Sequence, residues 1–382
     1  MNKPYLHNLT ALRGIAALLV AVLHFHFFLG PVLPYQEAGV IDKFYLMVDL
    51  FFILSGFVIC YVYEPDFAGG ITGKETKGFF RARLARIYPL HLITLGAELG
   101  IFLLILALGK FAILPAHWQH LYRLDGLPVQ LTFLQTVGIF KFDTFNAPAW
   151  SLSAEWWAYV LFPFLFVAFR KLGYKYWFVA FGVALAGWLG IEFFLAAKEP
   201  FMSFPPDAGK RSLDVNWHYG TLRGICGFVA GMGVWQLYTQ QRGRKLLGNG
   251  WAILLLTGLA FASMHFGAYD TVTVSLFAAV ILAAAYGSSG TDRVLSWSVL
   301  RRLGQWSFSI YMWHMVLIHL VLVYFIAQRT EPVQGLLRPL RGYPTVTLLV
   351  VFLLVTCGVG YLSFRFLETP ARRWVKGGEE QG

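Results

Sequence analysis

Long apolar runs alternate along this chain with short intervals rich in charge, proline or glycine. A hydrocarbon layer of about 30 Å takes roughly 20 helical residues to cross. Candidate spans lie at 9–33, 46–63, 87–108, 152–169, 176–197, 216–238, 251–269, 272–287, 306–327 and 344–367. Only Gly267-Ala268-Tyr269-Asp270 separates the seventh from the eighth, which reads as a tight turn between two helices. The expected architecture is all-α, a polytopic membrane bundle of about ten transmembrane helices. Residues 1–376 read as one transmembrane domain and 377–382 as a short polar tail. The first span holds Arg13, His24 and His26 and runs into Pro31 and Pro34 without a small-residue cleavage site, so it is expected to remain as a helix. The longest polar intervals are 64–86, 109–149, 198–215 and 328–343, and no internal repeat suggests duplicated transporter halves.

Composition strengthens this picture. Of 382 residues, 57% are hydrophobic and 13% charged, a balance that a water-soluble domain could not hide in one core. With the N-terminus placed in the cytoplasm, the inside segments hold 19 Lys and Arg and the outside loops 10, while Arg13 and Arg223 fall in spans. This bias predicts that both termini are cytoplasmic and that the chain is multi-pass in the inner, cytoplasmic membrane. The net charge of +11 then reports topology and anionic lipid headgroups, not nucleic acid. Cys60, Cys226 and Cys357 lie in predicted spans with no metal-ligand spacing, so neither a metal nor a disulfide is expected.

Ionisable groups inside a bilayer are costly, which makes each a candidate for function. Arg13 and His24 stand eleven residues apart, about three helical turns, on one face and roughly 16 Å apart along the axis. His26 points elsewhere. Arg13 near the cytoplasmic boundary suits an anionic group and a deeper His24 suits proton transfer; equally, Arg13 can snorkel and His24 can bond a nearby carbonyl. In the inside interval before the third span, Arg83 and Arg86 would share a face if helical and form a fork suited to phosphates, with Arg81 beside them, although such clusters also anchor topology. At the entry to the fourth span, Trp150, Ser151 and Glu155 combine an aromatic belt with a carboxylate that must find a partner. Tyr311 and His314 share a face of the ninth span. Asp49, Ser55 and Arg223 are further candidates that packing or capping would explain as well.

Five blocks in this order and spacing resemble the membrane-bound acyltransferase-3 family. They are Arg13 with His24, the run Asp49-Leu50-Phe51-Phe52-Ile53-Leu54-Ser55-Gly56-Phe57, Arg83-x-x-Arg86-Ile-x-Pro, Trp150-Ser151-Leu152-x-x-Glu155, and Ser309-x-Tyr311-x-x-His314. The likeness runs from about residue 5 to residue 370, and Met47 departs from a glycine frequent in the family. Members O-acylate sugars of envelope polysaccharides, peptidoglycan or glycosylated natural products, usually from acetyl-CoA.

The resemblance implies an integral membrane O-acyltransferase with acetyl-CoA as acyl donor, no metal, and a carbohydrate or glycolipid hydroxyl as acceptor. Arg13, Arg81, Arg83 and Arg86 would hold the coenzyme A phosphates. His24 would act as general base or carry the acyl group, with Glu155 orienting or balancing the imidazole. Asp49, Ser55, Trp150, Ser151, Arg223, Tyr311 and His314 would contact substrate or support the site, and Trp118, Tyr122, Trp150 and Trp217 are candidate sugar-stacking surfaces that a membrane belt explains as well. Some relatives carry an appended esterase-like domain; this chain is expected to complete transfer itself or to hand acyl groups to a separate protein. The competing expectation is a transporter or flippase of a glycan-linked substrate, which would move it without releasing thiol.

Overall fold

The computed structural model describes residues 5–34, 39–199, 211–333 and 338–376, so the predicted tail at 377–382 lies outside the described residues. Ten long helices occupy the ten apolar runs: α1 (His7–Phe28), α2 (Met47–Phe67), α3 (Gly73–Ala107), α4 (Trp150–Arg170), α5 (Tyr176–Gly190), α6 (Gly220–Thr239), α7 (Gly250–His265), α8 (Asp270–Tyr286), α9 (Ser298–Ala327) and α10 (Thr345–Ser363). No strand occurs among the described residues. Seven segments, those of α1 to α5, α9 and α10, are long and apolar enough to cross a membrane. The others fall short for physical reasons. At 16 and 17 residues, α7 and α8 reach only about 25 Å at 1.5 Å per residue. The glycines of α6, which lower its hydropathy, let neighbours approach: a Cβ on Gly231 would stand 2.0 Å from the Ile53 carbonyl oxygen, and one on Gly56 of α2 1.9 Å from that of Phe228.

The expected turn between α7 and α8 is present. Gly267 takes φ +67°, and the N–H groups of Phe266 and Ala268 bond back to Ala262 and Ser263, closing the end of α7. The polar interval 64–86 departs from the predicted loop, because α3 starts at Gly73. Thr72 caps it by accepting the N–H of Glu75 at 3.4 Å, and Glu75 stands three residues on, a capping arrangement that propagates helix through the charged residues ahead of the apolar run. π-helical turns at Ile191–Leu195 and Phe364–Glu368 prolong α5 and α10. The first carries Glu192, whose carboxylate accepts the N–H groups of Asp270 and Thr271 at the start of α8.

Burial separates centre from periphery. In the segments of α2 and α9, 67% and 61% of the apolar window is buried, against 28% for α5 and 22% for α10. Exposed Phe164, Phe194, Leu254 and Leu354 give the outer surface the apolar character that lipid requires. The ionisable candidates therefore gather on the inner helices.

Candidate active site

The crossing of α1 and α9 brings the first two candidates together. A Cβ on Gly14 would stand 2.6 Å from the Gly304 nitrogen, and one on Gly304 2.0 Å from the Thr10 carbonyl oxygen, so neither position tolerates a side chain. Ten residues further along both helices, His24 meets His314, with Nδ1 of the first 3.2 Å from Nε2 of the second. Backbone carbonyls decide the tautomers, because a carbonyl can only accept. Nδ1 of His24 lies 2.9 Å from the Val20 oxygen, and Nδ1 of His314 lies 2.6 Å from the Tyr311 oxygen, so both Nδ1 atoms carry hydrogen. The lone pair on His314 Nε2 faces the His24 Nδ1–H. That leaves Nε2 of His24 with its own lone pair and, among the described residues, no hydrogen-bond partner.

His24 opens into a cavity of about 190 Å³, walled by Trp118, Trp150, Trp217, Phe28 and Phe142. Asp143, Asp214, His117 and His319 also line it. Its rim is rigidly held. The carboxylate of Glu199 accepts four consecutive N–H groups, from Asn216, Trp217, His218 and Tyr219, at 2.6, 2.9, 3.2 and 3.2 Å. Trp217 Nε1 then donates to Asp143 Oδ1 at 3.0 Å. Burial pushes the Asp143 carboxyl up to about 7, with the carboxylates of Glu199 and Asp214 adding to the rise against the Trp217 hydrogen bond. Asp214 is raised to about 6, again mainly by burial, with Arg223 pulling it down.

A second cavity, of about 130 Å³, is lined by Arg13 of α1, Ser55 of α2, Arg83 and Arg86 of α3, and Ser151, Glu155 and Tyr159 of α4. Arg83 donates to the Tyr63 hydroxyl at 2.9 Å, yet its Nε is buried without a partner. Arg86 donates to Glu368 Oε1 at 3.2 Å, and Glu368 also accepts from Ser309 at 2.9 Å. Arg13 has no hydrogen-bonded partner among the described residues. Three guanidinium groups thus face one lining carboxylate, with donors to spare for an anion.

Tyr311 and Val48 line both cavities and form the wall between them. The Tyr311 hydroxyl lies 2.8 Å from Ser151 Oγ, and each oxygen reaches the Pro148 carbonyl, at 3.1 and 3.0 Å. Phe51 packs edge-on against the Tyr311 ring with centroids 5.9 Å apart. Behind this wall, Asp49 and Arg223 form a fully buried bidentate pair with contacts of 2.7 to 3.2 Å, and the guanidinium lies 5.2 Å from the Trp150 ring centroid.

The predicted residues sort accordingly. Arg13, Arg83, Arg86, Ser55, Ser151 and Glu155 share one cavity, His24 and Trp150 the other, and Tyr311 touches both. Three expectations change. Glu155 is not at His24: its Oε1 accepts from Ser55 at 2.8 Å and from the Tyr159 hydroxyl, so it balances the arginines while the neighbour of the imidazole is His314. Arg81 is exposed and outside the cavity, since two residues on a helix turn a side chain about 200° away from Arg83. Tyr122 is buried beside the cavity without lining it, unlike the three tryptophans. His319, Asp143, Asp214 and Glu368 escaped sequence reasoning. His319 pairs with Glu98 at 2.8 Å, and both fall mid-span, where an ionisable group is itself a signal; the two aspartates sit in loops, where no periodicity marks them.

Comparison with known proteins fits this geometry. An acyltransferase-domain family matches residues 6–365. Acyltransferase MdmB of Streptomyces mycarofaciens is 28% identical over 332 residues, covering 82% of this chain and 79% of that protein. The putative peptidoglycan O-acetyltransferase YrhL of Bacillus subtilis is 25% identical over 394 residues, and peptidoglycan O-acetyltransferase OatA of Listeria monocytogenes 22% over 399. Those matches cover 96% and 97% of this chain but 55% and 56% of the two relatives, so the chain spans little more than half their length. No solved structure matches. With residues 6–365 matched, this chain belongs to the acyltransferase-3 family and is an acyltransferase.

Proposed function

We propose that the protein is an O-acyltransferase that takes an acyl group, acetyl in the simplest case, from acyl-CoA in the arginine cavity to a carbohydrate hydroxyl in the histidine cavity. The observation that carries this reading is the pair of cavities sharing the Tyr311 and Val48 wall, one cationic, the other offering an unpaired imidazole nitrogen. Arg13 and Arg83 have unused donors for the phosphates of the coenzyme, and Arg86 is held in place by Glu368. Nε2 of His24 accepts the proton of the acceptor hydroxyl as that oxygen attacks the thioester carbonyl. The carbon–sulfur bond breaks, and the proton passes from His24 to the departing sulfur, giving ester and free thiol. Once protonated, His24 keeps its Nδ1–H directed at two acceptors, the Val20 oxygen and His314 Nε2, which stabilise the imidazolium.

In this reading all ten helices cross the inner membrane, α7 and α8 by local thinning or tilt of neighbours, with both termini cytoplasmic. The arginine cavity, near the N-terminal end of α1, then takes its donor from the cytoplasm, and the acceptor arrives from the far face. The names of YrhL and OatA make a cell-envelope polysaccharide the favoured acceptor. The test is vectorial. In sealed vesicles of known orientation, radiolabelled acetyl-CoA is expected to yield labelled glycoside and free thiol only when supplied at the face that carries the N-terminus. Equal rates from either face, or glycan movement without thiol release, would overturn the proposal.

A further inference from the structure

The charge of the histidine cavity names the class of acceptor. Among the described residues no Lys or Arg lines it, whereas two carboxylates do. Asp143 has one oxygen held by Trp217 and the other without a partner among the described residues. Among the described residues Asp214 is paired with Arg223 alone, at 3.6 Å, and that guanidinium is already engaged bidentately by Asp49, so one cation serves two carboxylates. The remaining titratable groups facing the space, His24, His117, His319, Tyr45 and Tyr311, are imidazoles and phenols. Two buried polar atoms in the wall, His117 Nε2 and Asn216 Oδ1, have no hydrogen-bond partner, which leaves them for the ligand. Three indole faces offer stacking surfaces for the C–H faces of a sugar ring or for a cation.

Resting on the acyl-transfer reading above, we infer that the acceptor is a hydroxyl-rich glycoside carrying no carboxylate or phosphate on the reacting sugar, and that Asp143 and Asp214 reject anionic sugars. An anionic substituent brought beside either aspartate would meet a like charge in a partly desolvated space, where the guanidinium near Asp214, that of Arg223, is already shared with Asp49. Hydroxyl groups, in contrast, can donate to the carboxylates and to Asn216, and an ammonium substituent gains an ion pair. The arginine cavity has the opposite sign, so charge draws the anionic coenzyme to that chamber and keeps it out of the acceptor's.

The test uses the purified full chain and three probes that differ in one substituent: the methyl glycosides of glucose, glucosamine and glucuronic acid. Binding is read by tryptophan fluorescence, because three indoles line the cavity. The glucuronide is expected to bind about tenfold more weakly than the glucoside, and the glucosaminide at least as tightly as the glucoside. Asp143→Asn is expected to narrow the glucuronide penalty to about threefold or less. Equal affinities for glucoside and glucuronide, a penalty that persists in both Asp143→Asn and Asp214→Asn, or failure of all three probes to bind would overturn the inference. Acetyl-CoA binding and thiol release on the same samples keep the two readings apart. If these depend on Arg83 and His24 while the sugars go undiscriminated, only the acceptor class is wrong; if neither occurs, the acyl-transfer reading falls.

Discussion

The two cavities share a wall and have opposite chemistry. One presents Arg13, Arg83 and Arg86 around the carboxylate of Glu155; the other presents Asp143 and Asp214, three indoles and three imidazoles, with no Lys or Arg among the described residues. They differ also in how their polar groups are held. Arginines of the first keep unused donors, as free binding capacity for an anion requires, whereas the second is built on fixed backbone, with four N–H groups locked on Glu199. A chamber that recognises a flexible phosphate chain by charge tolerates loose side chains. A chamber that must present one hydroxyl to one nitrogen needs a rigid rim.

That contrast can be broken at either end. His24→Ala removes the proposed proton acceptor and should lower the turnover of acyl transfer by about 10²- to 10⁴-fold, read as thiol release under saturating acetyl-CoA. Full turnover in a correctly inserted variant would leave the histidine cavity without its chemistry. Asp49→Ala strips the buried Arg223 of its bidentate partner and leaves it only the looser contact with Asp214 at 3.6 Å, and should cost about 3 kcal/mol of stability in denaturant unfolding from mild detergent. The double change Asp49→Leu with Arg223→Met should recover much of that loss, which distinguishes an uncompensated charge from simple loss of packing.

Arg83→Ala should raise the dissociation constant of acetyl-CoA by about 10- to 100-fold while leaving turnover at saturation within severalfold of wild type. An unchanged binding curve would remove the anion from the arginine chamber. The smallest expected effect concerns pH. Asp143 titrates at about 7 and Asp214 at about 6, so raising pH from 5.5 to 8 makes both negative. The preference for glucoside over glucuronide should therefore grow severalfold over that interval. His117, whose pKa burial lowers, is neutral throughout most of this range and can only make the cavity less negative at its acid end, in the same direction. A preference that is flat or falls with pH would show that the aspartates do not set it.

What was legible in the sequence follows from how local each cause is. Lipid imposes a minimum length and apolarity on every span, so all ten long helices could be located from runs of side chains alone. Arg13 and His24 lie on one helix, and the spacing that puts them on one face is a property of that helix by itself. Helix starts were less legible where a polar signal outweighed hydropathy. The Thr72 and Glu75 cap extends α3 through Lys74 to Arg86, and the Glu199 clamp delays α6 to Gly220. Contacts between helices were illegible because they depend on packing. Tyr159 stands one turn beyond Glu155 on α4, but nothing in the spacing assigns Glu155 to Ser55, or His314 to His24; the first follows from the crossing of α2 with α4, the second from Gly14 against Gly304. Asp143 and Asp214 lie further out of reach, in loops whose conformation is set by tertiary hydrogen bonds.

The division of labour between the chambers is tested most directly by equilibrium binding of acetyl-CoA to His24→Ala. The variant is predicted to bind acetyl-CoA with the affinity of the unaltered protein and to release thiol from it, in the presence of acceptor, at least about 10²-fold more slowly. Loss of acetyl-CoA binding in a folded His24→Ala protein would mean that donor recognition and proton transfer share one chamber, and would contradict the account.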